Sequence, residues 1–150
     1  VTRPVILLLS GPNLNLLGDR EPDTYGTHTL LDHVAAARLR AQQRGFDLEH
    51  LQSNHEGDLI DAIHAARNRA TSIVINPGAL THYSWALHDA LAAYEGPIVE
   101  LHISDPKQRE PWRHTSVVEP LAVETVAGKG AAGYPEAVDI AIDASLTHDS

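Results

Sequence analysis

The sequence predicts an α/β fold, a single domain over residues 1–150 in which helices cover both faces of a parallel sheet. Three observations carry that prediction. Five short apolar runs alternate with helical patterns along the chain. The 150 residues suit one domain long enough to bury a core. No internal repeat, low-complexity tract or Pro/Ser-rich linker breaks the alternation.

The first strand is Val5–Leu9, β-branched and aliphatic, ended by Ser10-Gly11-Pro12. Thr29, with Asp32 three residues on, reads as a helix N-cap. Leu31, Val34, Ala35 and Leu39 form that helix's apolar stripe, and Gly45 stops it. Phe46–Ser53 is the second strand, and Leu59, Ile60, Ile63 and Ala66 mark the second helix. Ser72–Asn76 is the third strand, closed by Pro77-Gly78. Trp85, Leu87, His88, Leu91 and Ala92 mark the third helix, and Pro97–Ile103 the fourth strand. A long polar loop, 104–119, leads to a fifth strand at Val123–Ala127 and a terminal helix at Pro135–Leu146 with Pro near its start. Right-handed crossovers leave few topologies, and five strands suggest a flavodoxin-like three-layer sandwich with strand order 2-1-3-4-5.

Composition narrows the function. A hydrophobic content of 43% with 21% charged residues reads as globular. The formal charge of −9 argues against nonspecific binding to nucleic acid or to an anionic membrane. The absence of Cys excludes a disulfide, a thiolate nucleophile and a Cys-type zinc site. Val5–Leu9, the longest aliphatic run, is about a quarter of a membrane span. It is also shorter than a signal-peptide core, so a soluble, cytoplasmic protein is expected.

In such sheets ligands bind beyond the carboxyl ends of the strands. Asn13 follows strand one, Asn76 ends strand three, and Glu100 and His102 lie near the end of strand four, two apart and so on one side. The loops add Arg20 and Tyr25, then Arg109 and Arg113, and His82 leads into helix three. Taken singly, the two asparagines are ordinary turn formers, His102 a packed residue and Tyr25 a loop anchor. Glu100 is different, because a carboxylate in an apolar strand needs a partner. Orienting His102 would make half of an acid/base pair. Tyrosine phenols ionise near pH ~10, so a base role for Tyr25 requires a cation, such as Arg20, against the phenolate.

Other patterns point elsewhere. His82 and His88 are six apart, which fits no helical zinc pair, and the remaining histidines share no periodicity, so no metal is expected. Gly128-Lys129-Gly130-Ala131-Ala132-Gly133 matches G-x-G-x-x-G, but no complete βαβ unit follows it. It reads as a turn with close helix–sheet packing, a nucleotide or flavin site being the lesser alternative.

Together the motifs resemble one family. Gly11-Pro12-Asn13-Leu14-Asn15-Leu16-Leu17-Gly18, Arg20-Glu21-Pro22, Tyr25-Gly26, Gln52-Ser53-Asn54-His55-Glu56-Gly57 and Ile75-Asn76-Pro77-Gly78-Ala79-Leu80-Thr81-His82 occur in order. Glu100-Leu101-His102-Ile103-Ser104, Arg109-Glu110, Arg113-His114 and the terminal Gly-rich run complete a set similar to type II 3-dehydroquinate dehydratases across nearly the whole chain. The resemblance implies a flavodoxin-like subunit of a dodecamer of four trimers. It implies reversible dehydration of 3-dehydroquinate to 3-dehydroshikimate in the shikimate or quinate pathway, without metal or organic cofactor. The type I route needs a Schiff-base lysine, and the two lysines here, Lys107 and Lys129, lie in polar or Gly-rich loops.

Carried over residue by residue, the resemblance makes Tyr25 the base, Arg20 its stabiliser, Asn13 a stabiliser of the enolate, and His102 the acid oriented by Glu100. Asn76, His82, Arg113, Ile103 and Ser104 would hold the substrate, and Asp89 would reach a neighbouring subunit's site. Residues 16–25 would form a lid. Ser10, Tyr83, Trp85, Asp105, Thr115 and Val117 depart from the family pattern, and none is a proposed catalytic group. The alternative is a non-catalytic paralogue of the same fold that binds a ligand or serves as a scaffold.

Overall fold

A computed structural model describes residues 2–148. Its parallel five-stranded sheet has the order β2-β1-β3-β4-β5. The strands are β1 (Val5–Ser10), β2 (Asp47–Gln52), β3 (Ser72–Asn76), β4 (Ile98–Leu101) and β5 (Glu124–Val126). The helices are α1 (Pro22–Tyr25), α2 (Leu30–Gln43), α3 (Glu56–Ala66), α4 (Trp85–Ala92) and α5 (Gly133–His148). Alternation along each strand divides the core. Ile6, Leu8, Val74, Val99 and Leu101 face α2 and α5. Leu7, Leu9, Ile73, Ile75 and Ile98 face α3 and α4. These are the three layers expected of strands buried on both faces.

Local chemistry sets the element ends. Thr29 and Asp32 form a reciprocal capping box, with Asp32 N donating to Thr29 Oγ1 at 3.2 Å and Thr29 N to Asp32 Oδ2 at 2.9 Å. Such a cap contributes about 1 kcal/mol. The final strand–helix unit packs closely, as its glycines imply. A Cβ on Gly133 would stand 3.2 Å from Leu101 Cδ1, so α5 sits tight against β4.

Two apolar stripes differ from the sequence reading. α2 buries Leu30, His33, Val34, Ala37 and Ala41, leaving Leu31 78% and Leu39 57% exposed. Small Ala37 and Ala41 let α2 approach the sheet and α5, which outweighs the larger side chains on the other face. On α4 the buried residues are Leu87, Ala90 and Leu91, while Trp85 is exposed. β4 ends at Leu101 rather than Ile103, since β5 offers only three residues, although His102 N still donates to Val126 O at 2.8 Å. The 104–119 loop holds short 3-10 turns at Pro106–Gln108 and Pro111–His114, and another follows at Glu119–Leu121. Among the described residues no helix is long and apolar enough to cross a membrane.

Candidate active site

The carboxyl ends of β1, β3 and β4 open into one cleft, roofed by the segment carrying α1 and by the loop after β4. The β1 and β3 exits nearly touch. A Cβ on Gly11 would fall 2.4 Å from Pro77 O, and Gly11 N donates to Asn76 O at 2.8 Å. That contact needs glycine, and it sets Asn13 and Asn76 side by side on the cleft wall. Asn13 itself is left-handed, with φ of 70°, and its N–H donates to Asn54 Oδ1 at 2.9 Å.

Of the eleven residues to which the resemblance gives a role, nine line this cleft: Asn13, Arg20, Tyr25, Asn76, His82, His102, Ile103, Ser104 and Arg113. Glu100 lies beneath, behind His102. Asp89 is exposed on α4 and lines none of its own chain's cleft. Among the described residues the wall carries three arginines, Arg20, Arg109 and Arg113, and no carboxylate, in a chain of net charge −9. Such a local field attracts anions against the charge of the whole molecule.

On one side stands His102, only 8% exposed, its Nε2 2.6 Å from Glu100 Oε2. Glu100 is 1% exposed and fully partnered. Thr81 Oγ1 donates to its Oε2 at 2.7 Å, Ser116 Oγ reaches both oxygens at 2.8 and 3.0 Å, and Thr125 Oγ1 lies 3.3 Å from Oε1. Burial pushes the Glu100 pKa up, but His102 with the Thr81 and Ser116 hydroxyls outweighs it, leaving the pKa below the ordinary carboxylate value. The ionised carboxylate accepts from Nε2–H, which leaves Nδ1 as the imidazole nitrogen free to exchange a proton.

On the other side, Tyr25 packs half-buried at the end of α1 between two guanidiniums. Arg109 Nη1 donates to the phenolic oxygen at 2.9 Å and lies 3.3 Å from Ser104 Oγ. Arg20 sits over the Tyr25 ring at 4.7 Å and pairs with Glu21 at 3.0 Å. The sequence leads to the expectation of Arg20 against the phenolate and of Arg109 at the rim without a role. Here it is Arg109 that meets the oxygen and Arg20 that meets the ring. His82 Nδ1 bonds Thr115 O at 2.7 Å, and burial lowers the pKa of its ring. Arg113 pairs with Glu110 at 2.9 Å and stacks on Trp112. The hydroxyl cage of Glu100 was not foreseen. The only signal for it is that a buried carboxylate demands donors, and loop conformation decides which hydroxyls supply them.

A base candidate beside a cation and an acid candidate beside a buried carboxylate thus share one cationic cleft. A family model described as dehydroquinase class II matches residues 4–142. A 3-dehydroquinate dehydratase of Corynebacterium glutamicum is 58% identical over 135 residues, 90% of this chain and 93% of its own. A catabolic 3-dehydroquinase of Aspergillus clavatus is 52% identical over 134 residues, 89% of each chain. The crystal structure of type II dehydroquinase from Butyrivibrio crossotus matches with a TM-score of 0.90 at 42% identity, covering 93% of this chain and 98% of that one.

Proposed function

The chain belongs to the class II dehydroquinases and is a hydro-lyase, a 3-dehydroquinate dehydratase, and from that premise we propose that Tyr25 and His102 carry the two proton transfers. The observation that supports this most directly is the shared cleft, with Arg109 on the Tyr25 oxygen and Glu100 on the His102 ring.

Tyr25, as phenolate, takes the proton alpha to the ketone, and the electron pair moves onto the carbonyl oxygen as an enolate. Arg109 stabilises the phenolate directly, and Arg20 does so across the ring. Asn13 stabilises the enolate from the β1 exit. The enolate collapses to the conjugated enone, the C–O bond beta to the ketone breaks, and His102 protonates the departing hydroxyl as water. Glu100 fixes the ring orientation and stabilises the imidazolium before that transfer. Asn76, His82, Arg113 and the Ile103–Ser104 segment hold the hydroxyls and carboxylate of the substrate. The 16–25 segment closes over it and excludes water.

The reaction belongs to the shikimate or quinate pathway in this reading, in the cytoplasm. The assembly is a homo-oligomer, a dodecamer built as a tetramer of trimers. In it Asp89 reaches the cleft of a neighbouring copy. Its exposure on α4, one turn beyond exposed Trp85, supports that placement. The test is direct. EDTA-treated protein is incubated with 3-dehydroquinate while the ultraviolet absorbance of the enone product is followed. A rise proportional to protein is expected. No rise from folded protein would overturn the reading in favour of a binding protein of the same fold.

A further inference from the structure

Behind the cleft, polar side chains from β1, β2, β3 and α5 form one line. Asn76, 3% exposed, closes β3 and lines the cleft. Its Nδ2 donates to Tyr134 Oη at 3.2 Å, and its Oδ1 accepts from Gly78 N at 3.3 Å. Tyr134 is fully buried, its ring stacked on His33 with centroids 4.7 Å apart. Its hydroxyl also interacts with Ser10, whose Oγ lies 2.9 Å from His50 Nε2. Ser10, His50 and Tyr134 do not line the cleft.

A buried chain of hydroxyls has a donor direction. Burial, helped by Arg38, lowers the His50 pKa to about 4, so at neutral pH its ring carries no charge and its tautomer decides whether Nε2 donates to Ser10 or accepts from it. Asn76 Nδ2 donates to Tyr134 Oη, and Ser10 stands between that hydroxyl and His50. The direction at Asn76 is set by Gly78 N, a backbone donor that requires an oxygen at Oδ1. The amide of Asn76 is therefore held one way round, with its second N–H left to donate to a ligand.

We propose that Tyr134, backed by Ser10 and His50, is a positioning residue that holds Asn76 as a hydrogen-bond donor to a substrate oxygen, an inference that rests on the dehydratase reading above. The Tyr25 and His102 chemistry lies elsewhere in the cleft, so losing this support weakens substrate binding more than the chemical steps. Tyr134→Phe keeps the ring stack and removes the hydroxyl. It is expected to raise KM for 3-dehydroquinate about tenfold, with kcat within about threefold. Ser10→Ala raises KM in the same sense, and Ser10→Thr, which keeps a hydroxyl, restores it.

A purely structural role would lower Tm without this pattern, so the deciding measurement is a double-mutant cycle. If Tyr134 acts through Asn76, the Tyr134→Phe, Asn76→Ala double variant matches Asn76→Ala alone within about twofold. Unchanged KM in Tyr134→Phe, or effects that multiply in the double variant, would overturn the inference. If the wild type binds 3-dehydroquinate but does not dehydrate it, the dehydratase reading fails by itself. The same cycle run on Kd by calorimetry then decides the role of Tyr134.

Discussion

Arg109 and Tyr25, 84 positions apart, meet through a 2.9 Å hydrogen bond from the guanidinium to the phenolic oxygen. The roof of the cleft is thus joined to the loop after β4 by the bond that would hold a phenolate. Arg109→Ala is therefore expected to lower kcat by about 10²–10³-fold, the usual loss when one preorganised donor to a developing anion is removed. The Arg20 guanidinium still faces the ring, so activity falls without vanishing. Initial rates from enone absorbance give the number, and a loss under threefold would return the stabilising role to Arg20 alone.

Tyr25→Phe keeps the packing of the ring and removes the proton acceptor. Turnover should fall by at least about 10²–10⁴-fold, the usual range for a general base. The far-ultraviolet circular dichroism should match wild type, because Tyr25 is only half-buried. Near-normal turnover would exclude Tyr25 as the base.

Glu100 is expected to be costly to change in two ways. Glu100→Ala leaves the hydroxyls of Thr81 and Ser116 without their acceptor and should lower stability by about 1–3 kcal/mol in urea titrations. It should also lower kcat, because the His102 ring loses its anchor. Because the Glu100 pKa falls on folding, its contribution is present above the unfolded value of 4.5 and is lost as pH drops through the lower folded value. The variant should accordingly show a shallower acid-induced loss of stability below about pH 4.5. An equally steep loss would show that Glu100 is not a stabilising anion.

His50 acts in a higher window. Unfolded, its imidazole takes a proton near 6.5, and in the folded chain only near about 4. Between those values the unfolded chain binds more protons, so stability falls with each step down in pH. Replacing the imidazole with a group that does not titrate, His50→Gln, should flatten the urea midpoint between pH 6.5 and 4. An unchanged slope would assign the acid sensitivity to other groups, with His33, also lowered by burial, the next to replace.

Gly11→Ala tests the join between the β1 and β3 exits. The added methyl would meet Pro77 O at 2.4 Å, backbone that cannot rotate away. A loss of about 1–3 kcal/mol is expected, with a rise in KM as Asn13 and Asn76 separate. Thermal melting and steady-state kinetics on one preparation read both effects.

Much of this was legible in the sequence because it is local. Short apolar or alternating runs mark all five strands, and strict alternation of strand and helix marks a parallel sheet. The rule that ligands sit beyond strand ends led to Asn13, Asn76 and His102, while their roles came from the family resemblance. What the sequence hid depends on packing between distant segments. The stripe on α2 was misplaced because alanines at 37 and 41 bury better than leucines at 31 and 39. Arg109 was seen without its role, since only the folded loop brings it to Tyr25. Ser116 and Thr81 carry no motif as donors and gain meaning only once Glu100 lies between them.

The place of α5 in the chain has a consequence for biosynthesis. Every strand precedes it, so a growing polypeptide leaves the ribosome with only α2 on that face of the sheet and the part over Val74 and Leu101 still open. Docking of residues 133–148 shuts that face, and the same event brings Tyr134 to Asn76. On the role proposed for Tyr134, a nascent chain acquires its full grip on a ligand only once that face is closed. Closing of the sheet face and completion of the cleft wall are then one folding event.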